Sequence, residues 1–499
     1  MEHFKKILNV SQIRSADQYS IQNKWQTSIA LMENAAIALV KALEKRDIAA
    51  KNIVIICGTG NNGGDGFAVC RLLRNRGIAA KAILVQFSDK LSKDCEINKN
   101  KLKDVIVIDS TSQLPDLSHY DVIIDAIFGS GLNKPIRGLA ATIIETINNS
   151  GKTIYSIDVP SGVLCDEIST GEHIIKSSHV TSFQRPKRSF FFPENAPYIK
   201  TWEVVDIGLI ESFIQSQNST AYILDQHILT YVQSRPRQSH KGTYGHALLM
   251  AGAYGKMGAA VLSAKACLRS GVGLLTTFNP KCGYNIMQIS VPESMCITDE
   301  NEAYLSSLPE IENYSAVGIG PGIGQEESTQ KLFKKLLKKS KQPIVIDADA
   351  INIMATNNDL IPLLPHNTIL TPHIKEFDRL VGNSIDSIER HKKQQEFSIK
   401  NKCIVVLKDA NTCISSPTGD LYYNTSGNQG MATGGSGDVL TGIITGLLAQ
   451  HYAPLHAALI GVYFHGKAGD SAVKTKGYNA LIASDIIAHL KIENLEDRI

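Results

Sequence analysis

Two glycine-rich turns, each followed by a helical pattern, carry the residue types best suited to chemistry. The first is CGTGNNGGDGFAVCRLL at 57–73, where the free backbone N–H groups of the turn and the positive end of the helix suit a phosphate. Asn61, Asn62 and Asp65 interrupt the spacing of the common dinucleotide-binding turn, and their side-chain oxygens suit a hard cation. An ordinary solvated polar turn explains the same residues, so this turn needs further support.

The second turn lies in NTSGNQGMATGGSGDVLTGIITGLLA at 424–449, where TGGSG leads into a long apolar helix with Asp438 in its first turn. A carboxylate there can simply stabilise the helix N-terminus, but capping does not explain the surrounding glycines. Such a turn lets backbone N–H groups surround a transferring phosphoryl group, and Asp438 could take the proton of an attacking hydroxyl. No Gly-Lys-Ser/Thr follows, so the turn is not a Walker A loop.

In the first half of the chain, polar residues also follow two other apolar runs. Asp125 precedes the loop GSGLNKP at 129–135, and IDVPSG at 157–162 contains Asp158 and Ser161. The carboxyl ends of parallel strands meet in the crevice where α/β sheets bind their ligands. Each carboxylate alone is explained as a loop cap, but three polar strand ends in one sheet favour a site.

In the second half, four further loops follow apolar runs and present polar side chains or glycines. A lone histidine in such a loop is more often a satisfied structural residue than a ligand. His373 follows Thr-Pro at a strand end among the other loops, which favours a binding role. The loops are GIGPGIG (318–324), VIDADAIN (345–352) with Asp347 and Asp349, LTPHIKEF (370–377) with His373 and Glu376, and LKDANTCI (407–414) with Lys408 and Thr412.

The elements that must position these loops are short apolar runs alternating with helical patterns. Continuous apolar strands are typical of a parallel sheet covered on both faces, and the alternation indicates βαβ units in a doubly wound α/β fold. The segment 208–240 is polar and weakly patterned, which predicts two domains, at 1–218 and 219–499, and an amphipathic helix is predicted at 28–45. The predicted strands are NIVIIC (52–57), AILVQF (82–87), VIIDAIF (122–128) and TIYSIDV (153–159), then runs in GHALLMAG, GLLTTF, SAVGIG, PIVIDAD, TILTP and CIVVLK.

Composition excludes several classes of protein. A chain of 499 residues is too long for one core, and 43% hydrophobic with 20% charged residues is typical of globular proteins. The net charge of +3 and the helical apolar spacing of the basic segment 331–341 predict neither nucleic acid nor membrane as a partner. Nine cysteines without a Cys-x-x-Cys pair, and no secretory or spanning apolar segment, predict free thiols and a cytoplasmic protein.

Three motifs, GTGNNGGDG, DAIFGSGL and DVPSG, together resemble the NAD(P)H-hydrate epimerase family over about residues 9–210. The resemblance implies a Rossmann-like domain in which Asp158 is the acid/base for loss and return of the C6 hydroxyl of the hydrated nicotinamide. It implies a potassium ion on Asn62, Asp125 and Ser161. It also implies that the hydrate's phosphates and ribose bind Asn61, Asn62, Gly63, Gly64, Asp65, Gly129, Ser130, Gly131, Leu132, Asn133, Lys134, Pro135 and Asp158.

A second resemblance rests on six motifs in order: HKGTYGH, GPGIG, DADAIN, TPHxxE, KDANT and GNQGMATGGSGD. Over nearly the whole of 225–495 they resemble the ADP-dependent NAD(P)H-hydrate dehydratase family, which implies a ribokinase-like α/β domain, magnesium, ADP and Asp438 as the base. That family usually has a small residue and glycine after the histidine, whereas Ile374 and Lys375 stand here, so the loop's path and the role of Glu376 in metal or phosphate binding are open. By resemblance, the hydrate contacts Ala259, Gly322, His373 and Asp438, and the nucleotide contacts Lys408, Asp409, Ala410, Asn411, Thr412 and Gly437.

The two resemblances together imply a bifunctional repair enzyme, both isomerase and lyase. The first domain would convert (6R)- to (6S)-NAD(P)HX, and the second would use ADP to dehydrate the (6S) form to NAD(P)H, releasing AMP and phosphate. The expected partners are NADHX, NADPHX and ADP, with further copies of the chain in a homo-oligomer. Two alternatives are an ATP-dependent vitamin or sugar kinase, which would accumulate a phosphorylated product, and a first domain that binds a ligand without catalysis.

Overall fold

The computed structural model describes residues 4–494, and the chain divides into two compact units. Lys6–Ser219 forms the first unit, and the residues from Thr220 onward form the second together with the start of the chain through Lys5. Phe4 is buried and its ring meets Tyr422 edge-on at 5.4 Å, which ties the start of the chain into the second unit. The sequence-based division assigns these first residues to the first domain instead, because an aromatic contact so distant along the chain leaves no local pattern.

A seven-stranded sheet, parallel throughout, forms the centre of the first unit. Its strands are β1 (Ile53–Cys57), β2 (Ala80–Val85), β3 (Ile106–Ile108), β4 (Val122–Ala126), β5 (Thr153–Ile157), β6 (His179–Phe183) and β7 (Trp202–Val205). They lie in the order β3-β2-β1-β4-β5-β6-β7. The order reverses between β1 and β4, and the loops that leave the strands at such a point open a crevice for ligands.

Helices cover both faces of this sheet and give it two separate cores. Leu39 of α2 and Phe67 of α3 pack on one face, and Ile143 of α5 packs on the other. The predicted doubly wound α/β fold is therefore confirmed. The helices of the first unit are α1 (Val10–Ser20), α2 (Ser28–Glu44), α3 (Asn61–Asn75), α4 (Lys93–Asn100), α5 (Leu139–Asn149) and α6 (Glu211–Ser216).

Three strands of the first unit were not predicted from the sequence. β3 is only three residues long, and the sequences of β6 (HVTSF) and β7 (WEVV) mix polar with apolar residues. A search for continuous apolar runs overlooks such strands, although β6 is almost entirely buried. The omission matters because β6 contributes Ser182 and Phe183 to the surroundings of Asp158.

A ten-stranded sheet forms the centre of the second unit. Its strands are β8 (Ala221–Leu224), β9 (His246–Met250), β10 (Leu274–Asn279), β11 (Met295–Thr298), β12 (Ala316–Ile319), β13 (Ile344–Ile346), β14 (Ile369–Leu370), β15 (Ile404–Leu407), β16 (Cys413–Ser415) and β17 (Leu421–Asn424). The order is β11-β10-β9-β12-β13-β14-β15-β16-β17-β8, and β16 alone among them runs antiparallel to its neighbours. β8 lies in the segment that the sequence pattern treats as a polar connection, and it pairs with β17 at the edge of the sheet.

One helix of the second unit, α13, packs unusually close to its neighbour α7. A Cβ added at Gly442 would lie 2.1 Å from the carbonyl oxygen of Ser263, so only glycine permits this approach. The long apolar helix predicted after TGGSG is confirmed as α13, and this contact fixes it against α7. The helices of this unit are α7 (Met257–Arg269), α8 (Tyr284–Ser290), α9 (Glu327–Lys339), α10 (Ala348–Thr356), α11 (Ile374–Val381), α12 (Ser387–Asn401), α13 (Ser436–Ala449), α14 (Pro454–Lys476) and α15 (Ala483–Ala488).

The cysteines and the helices test two expectations from the sequence, free thiols and the lack of a membrane-spanning segment. All nine cysteines are free thiols, and seven of them are buried. Within residues 4–494, no helix combines the length and the apolar character needed to cross a membrane.

Candidate functional site

A cavity of about 790 Å³ opens at the carboxyl ends of β1, β4 and β5 in the first unit. Its wall includes the whole predicted loop 129–135, together with Asn61, Asn62 and Asp158. These residues lie in three separate stretches of the chain, and the switch in strand order brings them to one crevice.

Three residues of the predicted phosphate-binding set do not line this cavity. Gly63, Gly64 and Asp65 lie buried in the first turn of α3. A Cβ at Gly63 would stand 1.9 Å from the carbonyl oxygen of Gly58, just after β1. The glycines therefore allow the N-terminus of α3 to approach the end of β1, and they shape the site through the backbone.

Asp125 and Ser161 form a buried polar cluster behind the cavity. One carboxylate oxygen of Asp125 accepts the Ser161 hydroxyl at 2.5 Å, and the other accepts the Ser161 N–H at 2.8 Å and the Ser156 hydroxyl at 2.9 Å. Burial raises the pKa of Asp125, and the hydrogen bonds from Ser161 and Ser156 oppose that rise. The cluster is thus held rigidly between two strand ends.

Asn62 joins this cluster through the backbone of Phe128. The Asn62 amide donates to the Phe128 carbonyl at 3.0 Å, and the Phe128 N–H donates to the Ser161 hydroxyl at 2.8 Å. The resulting oxygen set contains one carboxylate and otherwise neutral groups, which fits a hard cation of low charge. Within the described part of the chain, no group of three or more His, Cys, Asp or Glu side chains could hold a metal ion.

Asp158 follows β5 in a backbone conformation that is rare for a residue with a side chain. Its φ is +63°, and strained residues of this kind cluster at functional sites. One carboxylate oxygen accepts the Lys187 ammonium at 2.6 Å and the Phe183 N–H at 3.0 Å. Asp158 is therefore held in place at the cavity by a buried cation and by β6.

Two charged residues at this site were missed in the sequence. Asp17 of α1 lines the same cavity as Asp158, and Lys187, which pairs with Asp158, is 3% exposed. Burial, followed by the charge of Asp158, raises the pKa of Asp17 to about 6. Neither residue stands out in the sequence. Asp17 is what the polar face of a helix would contain, and Lys187 lies in a short basic segment of the kind usually exposed to solvent.

The second candidate site surrounds Asp438 in the first turn of α13. The turn enters the helix through Gly435, whose φ is +89°. Burial and then the charge of Asp347 raise the pKa of Asp438 to about 6, while Lys408 lowers it in part. A carboxyl group with this pKa is mostly ionised at neutral pH yet accepts a proton readily, as a general base must.

A buried ion pair lies beside Asp438. Lys408 Nζ is 2.9 Å from Asp347 Oδ1, and the Thr441 hydroxyl donates to Asp347 Oδ2 at 2.6 Å. A Cβ at Gly437 would lie 3.1 Å from Lys408 Nζ, so glycine lets the ammonium lie against the turn. The arrangement places a cation and the N-terminus of a helix where a phosphate could be stabilised.

His373 and Glu376 cap the start of α11 reciprocally. His373 Nδ1 accepts the Glu376 N–H at 3.2 Å, and the Glu376 carboxylate accepts the His373 N–H at 2.8 Å. Burial lowers the pKa of His373, and Glu376 opposes that effect. Ile374 and Lys375 are the first residues of the helix, so the loop path that the sequence left open is a regular helix start and Glu376 serves as its cap.

The predicted hydrate-binding residues Gly322 and Ala259 also come together. Gly322 has a φ of +64°, and a Cβ there would lie 3.3 Å from the Cβ of Ala259. Asp349 accepts the Gly324 N–H at 2.9 Å, which ties the glycine loop to the start of α10.

The predicted nucleotide-binding segment forms the turn between β15 and β16. Asp409 accepts the Ala410 N–H at 2.7 Å, and the Thr412 hydroxyl donates to the Asp409 carbonyl at 3.4 Å. The side chain of Lys408 forms the ion pair with Asp347. The other four residues, Asp409, Ala410, Asn411 and Thr412, form the turn.

Two residues near Asp438 were missed because each lies inside a helical pattern. Thr441 binds Asp347 as described above. His465 of α14 lies 3.4 Å from the Ser436 hydroxyl, and burial lowers the pKa of His465 to about 4. Thr441 thus holds Asp347 in place, and His465 contacts the first residue of α13.

Comparison with known proteins covers both units. Residues 28–189 match the family described as YjeF-related protein N-terminus, and residues 247–491 match the family described as NAD(P)H-hydrate dehydratase. The chain is 33% identical to the ADP/ATP-dependent NAD(P)H-hydrate dehydratase of Bacillus subtilis, co-crystallised with ATP and Mg²⁺, over 53% of this chain and 94% of that one, with a TM-score of 0.47.

Two curated relatives extend over nearly the whole chain. A bifunctional NAD(P)H-hydrate repair enzyme of Moorella thermoacetica is 32% identical over 99% of this chain and 98% of its own length. A protein of the same description from Escherichia coli is 30% identical over 93% of this chain and 89% of its own. These matches confirm both resemblances, and the chain belongs to the family of bifunctional NAD(P)H-hydrate repair enzymes.

Proposed function

We propose that this chain repairs hydrated NADH and NADPH. The first unit interconverts (6R)- and (6S)-NAD(P)HX, and the second dehydrates the (6S) form with ADP, releasing AMP and phosphate. The observation that carries this proposal is the position of Asp438, a carboxyl group with a raised pKa, at the glycine turn beside the Lys408–Asp347 pair. Family membership along nearly the entire chain supports a second activity in the first unit.

In the second unit, the chemical difficulty is that hydroxide leaves the hydrated ring poorly. Asp438 takes the proton of the C6 hydroxyl, and the freed oxygen attacks the β-phosphate of ADP. Lys408 and the N–H groups of the turn stabilise the charge that develops, each such donor contributing about 3–4 kcal/mol. The C6–O bond then breaks with its electron pair leaving on phosphate, and the ring nitrogen's lone pair forms a double bond to C6. Loss of a C5 proton to water restores the C5–C6 double bond, and AMP is the other product.

Magnesium bound with ADP would neutralise phosphate charge at this turn. Magnesium sites of this kind use one or two carboxylates together with substrate phosphates and water. Asp349, whose carboxylate lies at the glycine loop 318–324, is the side chain best placed to hold it, since both oxygens of Glu376 already face His373.

The kinase alternative makes a different product from the same site. A vitamin or sugar kinase would release a stable phosphate ester, whereas dehydration releases inorganic phosphate and restores NAD(P)H. Purified chain supplied with NADHX and either ADP or ATP should recover the reduced-nicotinamide absorbance with equal molar release of phosphate. A phosphorylated product that accumulates without this absorbance would overturn the proposal in favour of a kinase.

Asp158→Asn in the full chain should separate the two activities. The amide keeps the shape of the carboxylate but cannot exchange the proton, so epimerisation should fall by about 10²–10⁴-fold. With an epimer mixture, recovery of NADH should then show a normal fast phase and a second phase at the spontaneous rate. Asp104→Asn, at an exposed ion pair with Arg74, should leave both phases unchanged. Rapid consumption of both epimers by Asp158→Asn would give the first unit another role.

Potassium is the ion that we propose for the oxygen cluster of the first unit. Asn62, Asp125 and Ser161 supply one negative charge and neutral oxygens, which suits a monovalent ion better than a tightly held divalent one. Crystals soaked in rubidium chloride should show an anomalous peak bounded by these three residues, and crystals in sodium chloride should not. A map without that peak at high rubidium concentration would leave the cavity as a phosphate site alone.

A further inference from the structure

Two carboxyl groups from distant parts of the first unit face one cavity. Asp17 lies on α1, and Asp158 follows β5. The two lie close enough that the charge of Asp158 raises the pKa of Asp17. The sequence predicts a role for Asp158 but none for Asp17.

Three hydrogen-bond donors surround one carboxylate oxygen of Asp158. Its Oδ1 atom accepts the Lys187 ammonium at 2.6 Å, the Phe183 N–H at 3.0 Å and the Ser182 hydroxyl at 3.3 Å. Burial lowers the pKa of Lys187, but the charge and hydrogen bond of Asp158, together with Cys165 and Asp17, more than offset burial, so the pKa is raised overall. A buried ammonium is stable only with an anion beside it, so Lys187 and Asp158 depend on each other for their positions.

The surroundings of Asp17 raise its pKa toward neutral pH, so both of its protonation states are accessible there. In contrast to Asp158, Asp17 has no ion pair with any residue from 4 to 494. Burial and Asp158 raise its pKa to about 6, and the more distant Lys187 lowers it only in part. The other charged groups near this position are Asp65, whose own pKa is raised by burial and by Asp158 and Asp17, and, in the cavity wall, Arg14, Lys134 and Arg137.

We infer that Asp17 and Asp158 form an acid–base pair that inverts C6 of the hydrated nicotinamide, with Asp17 as the acid and Asp158 as the base. The inference rests on the proposed epimerase activity of the first unit. One of these carboxyl groups is bonded to a buried cation and the other has no ion pair among residues 4–494, and such unlike surroundings separate the acid of a reaction from its base. Lys187 is a positioning residue that holds Asp158 at the cavity.

Inversion of C6 needs only the two carboxyl groups and water. Asp17 donates its proton to the C6 hydroxyl, the C6–O bond breaks with its electron pair leaving on water, and the ring nitrogen's lone pair forms a double bond to C6. Water then adds to the opposite face of C6, the nitrogen regains its lone pair, and the proton of that water passes to Asp158. Proton return from Asp158 to Asp17 through cavity water resets the pair, and the reverse reaction exchanges the two roles.

Asp17→Asn in the full chain tests the pair. Loss of the acid should lower the epimerisation rate by about 10²–10⁴-fold, with ADP-dependent dehydration of the (6S) form unchanged. Because Asp17 must be protonated, wild-type epimerisation should fall as pH rises through about 6, and Asp17→Asn should lack this limb. Asp104→Asn serves as the matched control, since Asp104 is exposed and pairs with Arg74 away from the cavity.

The pH profile of the wild type keeps the test independent of how the variant folds. A wild-type rate that stays flat from pH 5 to 8, or a near-normal rate for Asp17→Asn, would overturn the pair while leaving the epimerase activity intact. A wild-type chain that does not interconvert the epimers would instead overturn the proposed function and the pair with it. Lys187→Met should lower the epimerisation rate because Asp158 loses the cation that holds it at the cavity, and Lys187→Arg should restore the rate.

Discussion

Asp438→Asn should bind ADP with nearly the affinity of the wild type yet dehydrate (6S)-NADHX about 10²–10⁴-fold more slowly. The amide preserves the shape of the side chain at the start of α13, so the glycine turn and the Lys408–Asp347 pair keep their positions. It cannot accept the proton of the C6 hydroxyl, so the attacking oxygen is not activated. Calorimetry with magnesium and ADP, together with the recovery of NADH absorbance, measures the two effects separately.

The pH dependence should distinguish a base from a helix cap. Burial and Asp347 raise the pKa of Asp438 to about 6, and the base must be ionised to act. Dehydration by the wild type should therefore fall about tenfold for each pH unit below 6, a limb that reports the free base. Glu327→Gln, which removes an exposed first-turn carboxylate from α9, should change neither rate nor profile. If Asp438→Asn turned over at a near-normal rate, Asp438 would be only a cap.

Gly63→Ala should abolish most epimerisation while leaving dehydration untouched. The added Cβ would stand 1.9 Å from the oxygen and 2.8 Å from the carbon of the Gly58 carbonyl. Both atoms belong to the backbone, so no side-chain rotation relieves the overlap and the start of α3 must move. Overpacking of this kind typically costs about 1–3 kcal/mol of folding free energy, and a displacement of about 1 Å at a site can cost about 10²-fold in rate.

Gly171→Ala is the matched control in the same unit. A Cβ at Gly171 would meet its nearest neighbour, Ile174 Cγ1, at 3.8 Å, which is an ordinary contact. Epimerisation and the thermal transition of this variant should stay at wild-type values. Wild-type epimerisation by Gly63→Ala would show that the close approach of α3 to the end of β1 has no part in shaping the cavity.

Much of the fold and of the second site follows from the sequence alone. Apolar runs such as NIVIIC and VIIDAIF correspond to β1 and β4 within two residues at each end. The polar loops after them lie together because a parallel sheet places its carboxyl ends on one edge. The glycines around Asp438 likewise predict a turn before a helix, since their conformations are local to the chain.

Other features of the same sites were decided only by the tertiary structure. Gly63 and Gly64 read as phosphate ligands, but the backbone of Gly58 and the packing of α3 place them behind the cavity wall. Glu376 was a candidate for metal or phosphate, and it caps α11. In each case the residue type was informative, but the direction of its side chain or backbone depended on neighbours elsewhere in the chain.

The sequence by itself determined the continuous apolar strands, the glycine turns and the carboxylates that follow them, because burial and turn conformation leave periodic or local patterns. Tertiary structure alone decided which charges meet. Asp17, Asp158 and Lys187 come from α1, the end of β5 and the segment after β6. No regular spacing along the sequence indicates that these three residues meet. Burial and Coulomb interaction depend on distance in space, so the protonation states that separate an acid from a base exist only once the chain is folded.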